Sequence, residues 1–369
     1  MSKTEKNQSS LSGSVLLIVT VLTCIGLIMI YSSSAIPAYQ KFSDSFYFFK
    51  KQAIVAAFGF ACIGLIFFIP FRLVELATIP LLAFSAILLA LTLHPQMGAD
   101  ANGAARWVKL GFLKFQPTEL AKLALVLFLS KNLTRPSADI NRFWTGIFPN
   151  LLVLGILTAL LICQPDFGSS FLLFVVTFLM LFSAGLDKKY IFGGLLLGLS
   201  GFIVAVMNAP YRLKRLTSFM DPWGTVQEGG FQIIQSYLGF QNGGVFGLGL
   251  GESRQKLYFL PEAHTDFILS VVGEELGLIG VMLVIFCFGY LTFLGFKIAK
   301  IQIAKHKAYL ALGLTLTISM QAAINIGVTM GLLPTKGIPL PFVSSGASSL
   351  LVFLVISGLL IRLGKQTSA

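Results

Sequence analysis

The fold is decided by residues 258–277, YFLPEAHTDFILSVVGEELG, where a polar segment meets an apolar run that lasts to about residue 296. Three polar residues, including Asp266, come just before the apolar run. Two glutamates, Glu274 and Glu275, lie two to three turns inside it. Carboxylates at or below a membrane boundary are costly, so they mark a functional site by default.

The composition indicates an integral membrane protein. Of the 369 residues 56% are hydrophobic and only 11% are charged, whereas soluble domains are about a quarter charged. The net charge of +12 is typical of basic residues that flank membrane spans, so it does not imply nucleic acid binding. The four cysteines form no CxxC pattern, which favours neither a disulfide nor a metal site.

The sequence predicts an all-α integral membrane protein, a single polytopic domain over residues 1–369 with about ten transmembrane helices. The predicted spans are roughly 14–30, 52–69, 74–93, 117–130, 147–163, 167–185, 190–208, 267–296, 308–332 and 347–364. A long exterior loop, 209–266, separates helices 7 and 8. The run at 117–130 is short and is expected to be partly buried among other helices.

The distribution of Lys and Arg predicts the orientation. With the amino terminus inside, the predicted cytoplasmic segments hold 14 basic residues and the short exterior loops hold 7. Cytoplasmic loops carry the excess of basic residues in membrane proteins. We therefore expect both termini in the cytoplasm and the long loop outside.

The long loop carries basic residues and glycines that favour phosphate binding. Arg212, Lys214 and Arg215 open the loop, and 243–251 is rich in glycine. Glycines let backbone N–H groups approach a ligand, and basic side chains neutralise phosphate. An ordinary basic segment followed by a flexible turn would have the same composition, and no nucleotide-binding motif is present.

Asp266 has three open interpretations. Its carboxylate is a candidate general base for an attacking hydroxyl. It is equally a candidate ligand for a divalent cation, or an N-cap for the helix that starts near Phe267.

Two further segments contain polar groups at membrane depth. Pro117 marks a helix start, and Glu119 and Lys122 are three apart on one face, so they can pair. Such a pair serves either helix register or substrate handling. Residues 333–349 contain three prolines and Lys336, and irregular backbone at this depth must line a cavity or be buried in protein.

Six ordered motifs resemble the bacterial SEDS family (shape, elongation, division and sporulation). They are NGAARW (102–107), QPTELAK (116–122), QPDFG (164–168), GFQIIQS (230–236), LPEAHTDFI (260–268) with EELG (274–277), and LPTKGIPLPF (333–342). The residues of these motifs are closer to those of the division-type members than to those of the elongation-type members. One departure is PFVSSGAS (341–348), where Ser345 and Ala347 replace the family's Tyr and Gly.

The resemblance implies a peptidoglycan glycosyltransferase that polymerises lipid II at the outer face of the bacterial cytoplasmic membrane during septal wall synthesis. It implies Asp266 as the essential acid, a role for Glu119 and Lys122, and a class B penicillin-binding protein as partner among other divisome membrane proteins. The candidates for substrate or diphosphate binding are Arg106, Glu119, Lys122, Arg212, Arg215, Gln235, Ser236, Lys256, His264, Lys336 and Ser344.

The predicted mechanism is one inverting displacement, with Asp266 taking the proton from the acceptor hydroxyl and cations meeting the leaving diphosphate. Mg²⁺ or another divalent cation at Asp266 is a further expectation. The alternatives are a lipid II flippase, for which the Glu119–Lys122 pair would belong to the path, a non-catalytic scaffold for the transpeptidase, and an elongation-type polymerase.

Overall fold

A computed structural model describes residues 3–94, 98–101, 104–110, 113–136, 139–207 and 209–365. Within these ranges the chain forms twelve α-helices and one three-stranded sheet. The helices are α1 (Lys3–Phe42), α2 (Tyr47–Ile66), α3 (Phe71–Thr92), α4 (Pro117–Asn132), α5 (Phe148–Cys163), α6 (Phe167–Ser183), α7 (Lys188–Met207), α8 (Pro210–Met220), α9 (Phe231–Gly243), α10 (Ile268–Ile301), α11 (Lys305–Thr329) and α12 (Ala347–Lys365). The strands are β1 (Gly98–Ala101), β2 (Ala104–Leu110) and β3 (Leu113–Phe115).

Each predicted span coincides with one helix, namely α1 to α7 and α10 to α12; only residue 208, the end of the seventh, lies outside the described residues. Among the described residues, seven helices are long and apolar enough to cross a membrane, so the chain is a multi-pass membrane protein, while the count of ten is not confirmed. The helix α6 is apolar but shorter, with 17 residues. The helix α4 has 16 residues, of which 13 are buried, as expected for its short apolar run.

The first and last helices, α1 and α12, run antiparallel, so the start of α1 and the end of α12 share one end of the bundle, and the irregular segments lie at the other. Ser12 in α1 donates a hydrogen bond to Ile361 O in α12 at the end opposite Asp266. At the Asp266 end, the ring of Phe48 at the start of α2 packs against His264, with 5.1 Å between ring centroids. Asp266 therefore shares one end with the sheet, α8, α9 and the irregular segment after α11.

The predicted exterior loop is largely helical. It contains α8, α9 and the short π-helical turns Val226–Gly230 and Gln255–Phe259. The antiparallel sheet between α3 and α4 was not predicted, because its strands are too short for their alternation to stand out. Its register pairs Trp107 with Ala99 and Val108 with Phe115, which fixes β2 as the central strand.

The long helix α10 is interrupted at Gly277, where the backbone is non-helical with φ 66°. The Gly-rich segment after α9 fills the interruption: Leu248 N and Gly249 N donate to the carbonyls of Glu274 and Glu275. In return, Leu278 N donates to Gly244 O at 2.9 Å. A Cβ at Gly277 would collide with this segment, so both the positive φ and the close approach require glycine.

Candidate active site

Four separate elements place polar side chains around one cleft. Asp266 precedes α10, Arg106 comes from β2, Arg215 from α8, and Lys336 from the segment between α11 and α12. The cleft has about 1130 Å³ of open space. Its remaining lining consists of Trp107, Gln116, Gln232, Glu262, Thr265, Phe267, Thr335, Gly337, Pro339, Ser345, Gly346 and Ser349.

The carboxyl group of Asp266 faces the cleft and makes no hydrogen bond with the described residues. The N-cap of α10 is Phe267, without a side-chain capping bond, so the capping interpretation of Asp266 is wrong. Burial, and then the negative charge of Glu262, raise the pKa of Asp266 to about 7, against the opposing charges of Arg106 and Arg215. A carboxyl group with a pKa near neutrality is suited to accept a proton.

Arg106 is held beside Asp266 by the turn before α6. Its Nη2 donates to Pro165 O at 2.7 Å, and its Nε is buried with no hydrogen-bond partner among the described residues. A Cβ built on Gly337 would lie 3.1 Å from Asp266 Oδ2 and 3.5 Å from Arg106 Nη1, so both side chains reach the same glycine. The turn itself is fixed by Asp166, whose carboxylate caps α6 by accepting from Ser169 N. Asn102 and Gly103 of the same motif as Arg106 lie outside the described residues.

Lys336 lies between the cleft and a second, smaller cavity of about 550 Å³. Its Nζ is 4.3 Å from the ring centroid of Phe171 and 5.5 Å from that of Phe167. Burial lowers the pKa of Lys336 to about 8. The guanidinium of Arg212 lies 5.3 Å from the centroid of the Phe167 ring. Arg212 lines the same smaller cavity, together with Arg106 and Arg215.

An apolar groove of about 1150 Å³ adjoins the smaller cavity through Phe167, which lines both. The groove runs between α5, α6 and α7. Its lining consists of Thr158, Ile162, Phe167, Ser170, Phe171, Phe174, Leu195, Leu197, Gly198 and Gly201. The cationic cavity therefore separates the polar cleft at Asp266 from an apolar surface at the side of the bundle.

Five of the predicted site residues line these cavities: Asp266, Arg106, Arg212, Arg215 and Lys336. The other seven do not line them. They are Glu119, Lys122, Gln235, Ser236, Lys256, His264 and Ser344.

Most of these seven side chains are occupied by contacts within the protein. Lys256 Nζ pairs with Glu275 Oε1 at 3.0 Å, in a buried site that also contains Ser32. Ser236 donates to Thr329 O and Ser344 donates to Thr265 O, so both hydroxyls join backbone segments. Substrate contacts by these residues stay predictions.

The buried pair of Glu119 and Lys122 is confirmed, with Lys122 Nζ 2.7 Å from Glu119 Oε1 and both side chains at most 2% exposed. Lys122 Nζ also donates to Gln321 Oε1 at 2.6 Å. Because both side chains are buried, are bonded within the helix bundle and line none of the cavities, the structure favours the helix-register interpretation of this pair over a direct substrate contact.

Sequence reasoning missed Gln232, Thr335 and Asn325. Gln232, one helical turn before the predicted Gln235, lines the cleft, and Gln235 does not. The sequence alone does not show which face of α9 is turned towards the cleft. Asn325 Nδ2 donates to Asp266 O at 2.8 Å. A signal was available for it, since an Asn within an apolar span needs a partner.

The described residues contain no group of three His, Cys, Asp or Glu side chains that could hold a metal ion. The donor set at Asp266 therefore does not form a resident metal site by itself. Mg²⁺ is commonly bound by one or two carboxylates together with substrate phosphates, so a divalent cation at Asp266 stays a prediction.

The fold and site define a polytopic membrane protein with a carboxylate in a cationic cleft beside an apolar groove. Over residues 13–369 the sequence matches the family of FtsW, RodA and SpoVE, described as cell cycle protein. The chain belongs to this family, in agreement with the resemblance of its six motifs.

Individual relatives cover nearly the whole chain. It is 44% identical to a probable peptidoglycan glycosyltransferase FtsW of Geobacter metallireducens, over 95% of this chain and 94% of that protein. It is 40% identical to the stage V sporulation protein E of Bacillus subtilis, over 95% and 96%.

Solved structures share the fold. A chain of a peptidoglycan synthase complex that coordinates polymerization and crosslinking superposes with a TM-score of 0.79 at 29% identity, over 96% of this chain and 97% of that one. The rod shape determining protein RodA of Thermus thermophilus superposes with a TM-score of 0.70 at 25% identity, with the same coverage.

Proposed function

We propose that this chain is a peptidoglycan glycosyltransferase that polymerises lipid II into glycan strands and releases undecaprenyl diphosphate. The observation that carries the proposal is the position of Asp266 in a cleft with Arg106, Arg215 and Lys336, joined through a cationic cavity to an apolar groove. This order of surfaces matches a sugar, a diphosphate and a polyprenyl tail. The family membership and the names of the relatives support the same activity.

In the proposed reaction Asp266 acts as the general base. Its carboxylate takes the proton of the 4-hydroxyl of the acceptor sugar while the oxygen bonds to the anomeric carbon of the donor. The bond between that carbon and the diphosphate oxygen breaks, and the electron pair leaves with the diphosphate. A base with a pKa of about 7 is half deprotonated at neutral pH, which suits this step.

The cations stabilise the departing group. Negative charge grows on the diphosphate as the bond breaks, so fixed positive groups lower the barrier. Arg106, Arg212, Arg215 and Lys336 line the cavity where this charge would develop. Arg106 adds a buried Nε without a partner among the described residues, which is a donor that an anion would satisfy.

The apolar groove between α5, α6 and α7 would hold the first isoprene units of the tail. Six of its ten lining residues are aliphatic or aromatic, and the other four are Thr158, Ser170, Gly198 and Gly201. The ring of Phe167 faces both the groove and the cations, so the tail and the diphosphate would meet there.

We assign the active end of the molecule to the outer face of the inner membrane and both termini to the cytoplasm, from the distribution of basic residues. The expected partner is a class B penicillin-binding protein within the division machinery. It is supported by the likeness to a chain of a peptidoglycan synthase complex. A divalent cation bound with the diphosphate belongs to the same proposal.

The flippase alternative is less well supported. The Glu119–Lys122 pair on which it depended is bound to Gln321 and sealed from solvent, so it lines none of the cavities described above. A scaffold without activity would need no base, and it predicts that Asp266 variants retain function.

The test is glycan synthesis from lipid II by the purified protein, alone and with the co-purified transpeptidase. Asp266→Asn should lower the rate by about 10²- to 10⁴-fold. The matched control is Asp44→Asn, which removes an exposed carboxylate paired with Lys50 at 2.8 Å and should retain normal activity. Normal synthesis by Asp266→Asn would refute the assignment, and measuring lipid translocation in the same proteoliposomes separates the flippase.

A further inference from the structure

Two amide side chains on one face of α11 hold the two segments that form the cleft. Asn325 Nδ2 donates to Asp266 O and to Ile338 O, both at 2.8 Å. One turn earlier, Gln321 Nε2 donates to Pro339 O at 2.9 Å. The carbonyl of the candidate base and the backbone that follows Lys336 and Gly337 are therefore tied to the same helix.

The orientation of both amides is fixed. Lys122 donates to Gln321 Oε1, so the Gln321 nitrogen must face Pro339. Two carbonyl acceptors face Asn325 Nδ2, so this atom must be the amide nitrogen. The other atom, Asn325 Oδ1, is buried without a hydrogen-bond partner among the described residues.

A buried oxygen without a hydrogen-bond partner destabilises the folded protein. An Asn at position 325 in spite of this cost indicates that the hydrogen bonds of its Nδ2 are required. Packing α11 against the loops requires no such group, since an apolar side chain would fill the same space. The requirement is best explained by the two carbonyls that accept from this nitrogen. One belongs to Asp266 and the other to Ile338, in the segment that carries Lys336.

We propose that Asn325 is a positioning residue for polymerisation, which sets the distance between Asp266 and the segment that carries Lys336 and Gly337. The inference rests on the proposed function. When this distance is fixed, the Asp266 carboxylate can reach the acceptor hydroxyl while Lys336 contacts the diphosphate of the bound donor. Asn325 lines neither the cleft nor the smaller cavity, so it acts through these two segments.

The test compares Asn325→Leu with Ser319→Ala in lipid II polymerisation. The Leu variant removes both hydrogen bonds at similar volume and leaves in place the charged groups around Asp266: Glu262, Asp166, Arg106, Arg215 and Lys336. The control removes another hydrogen bond of α11, between Ser319 and Thr292 at 3.0 Å, away from the cleft. Asn325→Ser, a smaller change that keeps one donor, replaces the Leu variant if that protein is not monodisperse.

We expect kcat to fall about 10- to 100-fold in the Asn325 variant, as for a misplacement of about 1 Å, with KM for lipid II changed less than about threefold. The pH at half-maximal kcat should move below that of the wild type, because a loosened loop admits water to the Asp266 carboxyl. The Ser319→Ala control should change neither quantity.

An unchanged kcat would overturn the proposal, and so would a lower kcat with an unchanged pH midpoint, which indicates only a smaller folded fraction. Inactivity of the wild type, alone and with its transpeptidase, would instead refute the proposed function. The two failures are therefore distinguishable.

Discussion

Replacement of Asp266 by Asn should stabilise the protein while it removes activity. The folded-state pKa of about 7 lies above the ordinary value of 3.8 because of burial and the charge of Glu262. Protonation therefore favours the folded state, and this stabilisation is complete below about pH 3.8 and lost as the pH rises through 7. Each pKa unit corresponds to about 1.4 kcal/mol, which sets an upper bound of about 4 kcal/mol at pH 8.

Screening by water in the cleft reduces this figure, and we expect Asp266→Asn to gain about 1–2 kcal/mol at pH 8 and almost nothing at pH 4.5. The measurement is the unfolding midpoint of wild type and variant in the same detergent at both pH values, with Asp44→Asn as control. The variant should melt several degrees higher at pH 8 only. An equal or lower midpoint for Asp266→Asn at pH 8 would show that the charged carboxylate is not destabilising and would refute the reasoning.

Three other substitutions test the geometry of the site. Gly337→Ala places a Cβ 3.1 Å from Asp266 Oδ2 and should lower kcat/KM about tenfold, whereas Gly155→Ala, where a Cβ meets nothing within 4 Å, should not. Lys122→Met leaves the buried Glu119 carboxylate without its cationic partner and should lower the free energy of unfolding in detergent by about 3–5 kcal/mol. The double variant with Glu119→Gln should recover part of this loss, and no recovery would contradict the pairing. Leu195→Trp narrows the groove and should raise KM for undecaprenyl lipid II more than KM for a short-prenyl analogue. Equal effects on the two KM values would argue against the tail site. The same rise in KM in the control variant Phe192→Trp, at an exposed position, would also argue against it.

The sequence predicted the helices well because each apolar run carries its own signal. The break in α10 could not be predicted, because the residues after Gly277 pair with backbone more than twenty-five residues earlier: Leu278 N donates to Gly244 O and Ile279 N to Val245 O. The sheet that carries Arg106 was missed for a related reason. Pairing between short strands depends on contacts that hydropathy along the chain does not report.

The site was predicted in part. Motifs located Asp266, Arg106 and Lys336, but residue type alone could not separate cations that face the cleft from Lys256, which is neutralised by Glu275. Asn325 was overlooked because its span was treated as uniformly apolar. A polar amide inside such a span has to satisfy its hydrogen-bonding groups nearby, and that requirement pointed to the adjoining loops.

The interruption at Gly277 has a consequence for how the enzyme rests in its bilayer. The piece of α10 beyond it spans roughly 36 Å at 1.5 Å per residue, close to the hydrocarbon thickness of about 30 Å. The shorter piece next to Asp266 is instead hydrogen-bonded to the glycine-rich segment 244–249. We therefore expect thinner or thicker lipids to change the tilt of the piece beyond Gly277 and to leave the depth of Asp266 nearly unchanged. On the proposed function, polymerisation should then depend little on acyl-chain length.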